Sequence, residues 1–246
     1  MKRYVFFFLS ALILMSFALI QNKKITLWMI GDSTMSVKQP KAFPETGWGM
    51  PFSTFFNKKV TVDNRAVNGR STLSFITENR WKAVYDNLEA GDYVFIEFGH
   101  NDEKLNKPGV GTSIDQYKAN LAKFIDEARL KKAIPVLLTP IARRNFIEGK
   151  LVDTHLGYPD AMRKVADSLN VPLIDMQKKT EKLLTSLGEE GSIKLFNHVA
   201  PGNENYPEGK KDDTHLSPEG AKQIAGLAAE GMRELKIDLT GCLRKK

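Results

Sequence analysis

The sequence predicts an α/β fold in which one parallel sheet is covered by helices on both faces. Five short runs rich in β-formers recur along the chain, and each is nearly continuous in apolar residues, as strands buried on both faces are. Helical patterns lie between the runs, and strands alternating with helices favour a parallel sheet. With 246 residues, 42% of them apolar, the chain can bury a sizeable core and is not a wholly disordered protein.

The N-terminal segment stands apart from that fold. Lys2 and Arg3 precede the apolar run 4–20, which only Ser10 and Ser16 interrupt. A basic start before a hydrophobic stretch is the mark of an export signal. The exit at residues 16–22 is a poor small-residue cleavage site, and the run approaches a membrane span in length. We expect residues 1–21 to be a cleaved export signal, with an uncleaved membrane anchor as the alternative. Residues 22–246 are then expected to form a single domain, periplasmic or extracellular, without internal repeat or linker.

Strands are expected at 25–30, 60–64, 93–98, 134–138 and 171–174. The segment 114–132 places Tyr117, Leu121, Phe124, Ile125 and Ala128 three and four apart, one apolar helical stripe. Segments 158–169 and 176–187 read as helices in the same way, less cleanly. Ser217-Pro218-Glu219 supplies an N-cap, a proline at the first helical position and an early acid. The helix that follows runs through Ile224, Ala228, Met232 and Leu235. The long stretch 188–214 carries Gly, Pro and Asn and is expected to be an irregular active-site loop.

Composition also excludes several chemistries. The lone Cys242 forbids an internal disulfide and leaves too few thiolates for a structural zinc site. The four histidines, at 100, 155, 198 and 215, are not spaced as a metal site. No Gly-rich phosphate loop follows the first strand, and no G-x-S-x-G nucleophile elbow occurs. No metal, cofactor or nucleic acid is expected, and the chain is expected to be a monomer. The formal charge is +7, and without Lys2 and Arg3 it is still +5, which admits a polyanionic partner without naming one.

Ligands of open parallel sheets sit beyond the C-terminal strand ends. Polar blocks fall there. Gly31-Asp32-Ser33-Thr34-Met35 follows the first strand, where a serine can project as a nucleophile. The second strand leads into Asn64-Arg65-Ala66-Val67-Asn68-Gly69-Arg70-Ser71, whose glycine frees a backbone N–H for close approach. The third ends in Gly99-His100-Asn101-Asp102, where Asn101 can aim an amide at the same place and His100 can shape the turn. Asp212-Asp213-Thr214-His215 stands before the final helix, and a tight turn can bring Asp212 to the imidazole and fix its tautomer. Asp213 is the competing carboxylate. Each block alone is also ordinary turn composition. Together they make coincidence improbable.

These blocks resemble the SGNH hydrolases, also called the GDSL-like family, whose Ser, Gly, Asn and His match Ser33, Gly69, Asn101 and His215. The first block reads GDST in place of GDSL. Thr46-Gly47-Trp48-Gly49, Asn68-Gly69-Arg70-Ser71 and the run from Phe98 to Lys104 resemble rhamnogalacturonan acetylesterases. So do Thr139-Pro140 with Arg143-Arg144, the run from Leu151 to His155, and Tyr206-Pro207-Glu208-Gly209. The resemblance implies a flavodoxin-like three-layer α/β/α sandwich with a five-stranded parallel sheet, and a serine-esterase mechanism. In it Ser33 would be the nucleophile, His215 the general base and acid, and Asp212 its orienting partner. The oxyanion would be held by the Ser33 and Gly69 N–H groups and the Asn101 amide.

The same resemblance suggests O-acetyl groups on the galacturonate of rhamnogalacturonan as substrate. A basic cleft suits such an acidic polysaccharide, because arginine grips a carboxylate with two hydrogen bonds. Arg70, Arg143, Arg144 and Lys211 are candidates, with Trp48 as a sugar platform and His155 and His198 in the cleft wall. Against this, Lys and Arg are usually solvated surface, and Trp48 can equally be core. Three other readings stay open: an esterase acting on another acetylated glycan such as xylan, a lipolytic or thioesterase member of the superfamily, and a non-catalytic carbohydrate-binding protein.

Overall fold

The structure is a computed structural model, and it describes residues 24–244. The expected export segment, residues 1–21, lies outside the described residues. β1 (Ile25–Gly31), β2 (Val60–Asn64), β3 (Tyr93–Glu97) and β4 (Ile134–Leu138) follow in chain order. After them come a two-stranded hairpin of β5 (Phe146–Ile147) and β6 (Lys150–Leu151), and then β7 (Leu173–Ile174). The main sheet has the order β2-β1-β3-β4-β7 and every pairing in it is parallel. This is the expected three-layer α/β/α arrangement.

The continuous apolar runs are explained by side chains alternating between two cores. From β1, Leu27 and Met29 enter one core while Trp28 and Ile30 enter the other; β3 divides Tyr93 and Phe95 from Val94 and Ile96 in the same way. The first core is closed by Trp48, Phe52 and the helix Pro218–Glu234, which contributes Ile224, Ala225, Ala228 and Met232. The second is closed by the helices Ile114–Leu130 and Tyr158–Ser168, through Tyr117, Leu121, Phe124 and Met162. Ser217 caps the final helix as expected, its Oγ accepting from the Gly220 N–H at 3.1 Å, with Pro218 at the first turn.

Three expectations need correction. The last strand was expected from 171, but only 173–174 pair with β4. Pro172 has no N–H to give a ladder, and only its carbonyl is used, by the Leu137 N–H at 2.9 Å. The stretch 188–214 is not wholly irregular. The helix Met176–Ser192 runs through a kink at Gly188 (φ 71°), and a short 3-10 helix, Ile193–Leu195, follows. Short helices at Thr72–Thr77 and Arg80–Tyr85 were not foreseen. No helix among the described residues is long and apolar enough to cross a membrane.

Candidate active site

The four polar blocks meet at the C-terminal edge of the sheet. Ser33 stands on the turn leaving β1, which Asp32 organises: its Oδ1 accepts from the Thr34 N–H at 3.0 Å and from the Thr34 hydroxyl at 2.9 Å. Asp32 is wholly buried, and burial pushes its carboxyl above the usual range against those hydrogen bonds. Glu97, at the end of β3, is buried with it and accepts the Trp48 indole N–H at 2.6 Å. Burial first, and then the charge of Asp32, raise Glu97 well above an ordinary glutamate.

His215 reaches this turn from the other end of the chain. Its Nε2 lies 2.9 Å from Ser33 Oγ and its Nδ1 2.9 Å from Asp212 Oδ2. The other Asp212 oxygen accepts the backbone N–H groups of Thr214 and His215, each at 2.9 Å, and Lys210 Nζ stands 3.1 Å from Oδ2. Partial burial opposes ionisation of Asp212, but the hydrogen bonds from His215 prevail and hold the carboxyl well below the usual range. An ionised carboxylate only accepts, so Nδ1 must carry the proton and donate it. Nε2 is then free to accept from the Ser33 hydroxyl. Asp213 faces elsewhere, with Arg144 Nη1 and His198 Nε2 each 2.8 Å from its Oδ1.

Gly69 lies on the turn after β2 with φ +75°, a left-handed conformation that a side chain would strain. Asn101 is buried on the turn that follows β3. Its Nδ2 donates to the Arg70 carbonyl at 3.1 Å, which leaves a second amide hydrogen available, and Lys104 Nζ donates to its Oδ1 at 2.8 Å. Asp102 fastens this turn to the helix Thr72–Thr77, accepting at Oδ1 from the Thr72 N–H (3.0 Å), the Thr72 hydroxyl (2.5 Å) and the Thr112 hydroxyl (3.0 Å). Its burial outweighs those bonds and pushes the carboxyl up to about 7. A hydroxyl hydrogen-bonded to an oriented imidazole, beside backbone and amide N–H groups, is equipped to attack an acyl carbonyl and to hold the resulting oxyanion.

The expected substrate contacts fare unevenly. Trp48 has no exposed surface, and its indole N–H is committed to Glu97, so it offers no platform to a sugar. Gly47 before it packs against the Ser36 backbone, where a Cβ would lie 1.9 Å from the carbonyl oxygen. His155 is likewise buried, bridging Glu103 Oε2 (3.0 Å) and the Ile141 carbonyl (2.9 Å), with His100 edge-on to it at 4.6 Å. It is part of the wall's interior, not its surface. Burial keeps His100 well below an ordinary imidazole, hence neutral. Arg143 pairs with Glu103 at 2.5 Å, Arg144 with Asp213 at 2.8 Å and Arg70 with Glu78 at 3.0 Å. Lys211 is exposed. Arg143 also lines a cavity of about 270 Å³ together with Asp153, Thr154 and Glu181.

Sequence reasoning missed Lys38 and Glu45, a buried ion pair at 2.8 Å beneath the Ser33 turn, and Asn68, Lys104 and Lys210. Lysine and glutamate in a loop normally signify solvated surface, and only the tertiary path of the 37–47 segment reveals otherwise. Among the described residues, Glu45, Asp212 and His215 place ligand atoms within 4.8 Å of one another, but Lys38 and Lys210 already pair with those carboxylates.

The chain is 41% identical over 220 residues to the rhamnogalacturonan acetylesterase RhgT of Bacillus subtilis (strain 168), covering 89% of this chain and 94% of that protein. It is 34% identical over 221 residues to the probable rhamnogalacturonan acetylesterase YesY of the same organism, covering 89% of this chain and 98% of that one. The crystal structure of protein YXIM from Bacillus subtilis superposes with a TM-score of 0.74 at 23% identity over 87% of this chain. This chain spans 58% of the length of that structure, and the likeness speaks to the fold. Residues 29–223 match the GDSL-like lipase/acylhydrolase family, a span that holds Ser33, Gly69, Asn101, Asp212 and His215. With that match across most of its length and with acetylesterase relatives of this identity, the chain belongs to the GDSL-like lipase/acylhydrolase family.

Proposed function

We propose that this protein is a serine esterase that removes O-acetyl groups from rhamnogalacturonan, through an acetyl-Ser33 intermediate. The observation that carries the chemistry is the unbroken contact chain Ser33 Oγ–His215–Asp212, with 2.9 Å at each step. The 41% identity to a rhamnogalacturonan acetylesterase supports the choice of polymer. Ser33 Oγ attacks the acetyl carbonyl while His215 Nε2 takes its proton, and Asp212 stabilises the imidazolium. The oxyanion is received by the Ser33 and Gly69 N–H groups and the free Asn101 amide hydrogen. His215 then returns the proton to the departing sugar oxygen. Water, deprotonated by the same imidazole, releases acetate and restores Ser33.

Three of the four cations expected to grip uronate carboxylates are engaged by acidic side chains, which leaves Lys211 to favour an acidic polymer from the exposed side. The basic start and apolar run of residues 2–20 support export to where such polymers are met. Acetate release from acetylated rhamnogalacturonan, measured beside acetylated xylan and nitrophenyl acetate, tests the reading. Faster release from the pectic substrate, lost in Ser33→Ala, is expected. Preference for xylan would overturn the substrate, and failure to cleave any acetyl ester would overturn the esterase.

A further inference from the structure

The turn that carries Ser33 and the turn that carries Gly69 leave different strands, yet esterase chemistry requires their N–H groups to converge on one oxygen. β1 and β2 pair as far as Met29 and Asn64, and the Arg65 and Val67 N–H groups carry the backbone link on to the Met29 (2.8 Å) and Gly31 (3.0 Å) carbonyls, leaving Ser33 and Asn68-Gly69 themselves beyond it. A polar strut bridges the gap. Lys38 Nζ donates to the Ser33 carbonyl at 2.5 Å and to Asn68 Oδ1 at 2.8 Å, and it pairs with Glu45 at 2.8 Å. Ser36 Oγ sits in the same gap and gives its single hydrogen to Asn68 Oδ1 at 2.5 Å, with the Ser33 carbonyl 3.3 Å away. Asn68 immediately precedes Gly69. Lys38 and Glu45 are each 8% exposed. An ammonium uses three donors, and here each has a partner. A solvated surface lysine would not be withdrawn from water to fasten a serine carbonyl to an asparagine side chain.

We infer that Lys38, anchored by Glu45, is a positioning residue that locks the Asn68-Gly69 turn against the Ser33 turn and so sets the spacing of two oxyanion donors. It touches no reacting atom. The role rests on the esterase reading above, and it adds to that reading a residue outside the Ser, Gly, Asn, Asp and His set. Its loss lets the Gly69 N–H drift, and a displacement near 1 Å at a reacting centre lowers turnover about 10²-fold. Substrate binding distant from the acetyl group is left as it was.

The test uses nitrophenyl acetate, which reports the chemistry whatever the natural glycan. Lys38→Met is made together with Glu45→Gln, so that no lone buried carboxylate remains. Asn68→Ala is made separately, and thermal denaturation confirms that each variant folds cooperatively. Each is expected to lower kcat about 10²-fold with KM within about threefold. The triple variant should fall no further than the worse of the two, because both cut the same strut. Lys38→Arg in the wild-type background should recover part of the loss. Wild-type kcat in Asn68→Ala, or losses that multiply in the triple variant, would overturn the strut while leaving the esterase intact. A wild-type protein that cleaves no acetyl ester would overturn the esterase reading first.

Discussion

Asp212→Asn isolates the orientation of the imidazole with a change of one atom. Two backbone N–H groups, from Thr214 and His215, converge on Asp212 Oδ1 at 2.9 Å each, so the asparagine carbonyl oxygen must take that position. The new NH2 group then occupies the place of Oδ2, facing His215 Nδ1 and, on the other side, Lys210 Nζ. Nδ1 has to become the acceptor, which moves the ring proton to Nε2. The imidazole then presents a donor to Ser33 Oγ, where the mechanism requires an acceptor. In hydrolases built on this template, that wrong tautomer lowers kcat about 10⁴-fold, equivalent to about 5.5 kcal/mol at 1.36 kcal/mol per decade. Steady-state hydrolysis of nitrophenyl acetate near pH 8 measures it, with thermal denaturation confirming a cooperative fold. Asp213→Asn is the control. That carboxylate serves Arg144 and His198, and its loss should leave turnover within about threefold of wild type. Turnover by Asp212→Asn within about tenfold of wild type, or a larger loss in Asp213→Asn, would refute the assignment of Asp212 as the orienting carboxylate.

Asn101→Ala should lower kcat about 10²–10³-fold with little change in KM, because the amide acts on the oxyanion and not on bound ester; wild-type turnover would remove Asn101 from the oxyanion hole. Asp102 supplies a pH test of stability. Its ordinary value is 3.8 and burial raises it to about 7, so between those values the folded state keeps a proton that the unfolded chain has released. Its contribution to stability therefore falls as pH rises through that window. Asp102→Asn cannot ionise, so its melting temperature relative to wild type should climb from pH 4.5 to pH 7.5. A difference independent of pH would show that Asp102 stays charged throughout.

The centre of the sheet was legible because β1, β3 and β4 are buried on both faces over most of their length, and apolar β-formers satisfy that environment, whereas the edge strand β2 is only partly covered. The strand ends were less so. Glu97 closes a run that reads as hydrophobic, and its wholly buried carboxyl is tolerated because burial favours its neutral form and Trp48 donates to it. That pairing across 49 residues leaves no local mark, and it turns an expected sugar platform into a core residue. The helix Thr72–Thr77 escaped notice because six residues show no period. A reciprocal capping box between Ser71 and Ser74 supports it in place of an apolar stripe. The Ser, Gly, Asn and Asp-x-x-His blocks were readable since each follows a strand or leads into a capped helix. The second layer was not. Lys38 and Glu45 stand seven apart in a loop, a spacing with no periodic meaning, and they meet only because the segment folds back beneath Ser33.

The distance along the chain between Ser33 and His215 has a consequence for timing. They are 182 residues apart, one just after the first strand and the other just before the last long helix. No product of synthesis that stops before His215 holds both, and closing so long a loop comes late in folding. Hydrolysis therefore begins only when the final helix docks beside Trp48 and Phe52. A chain that has not yet folded holds no assembled Ser33–His215 pair. Onset of nitrophenyl acetate cleavage during refolding is thus a clock for completion of the whole sandwich, read from a single hydroxyl.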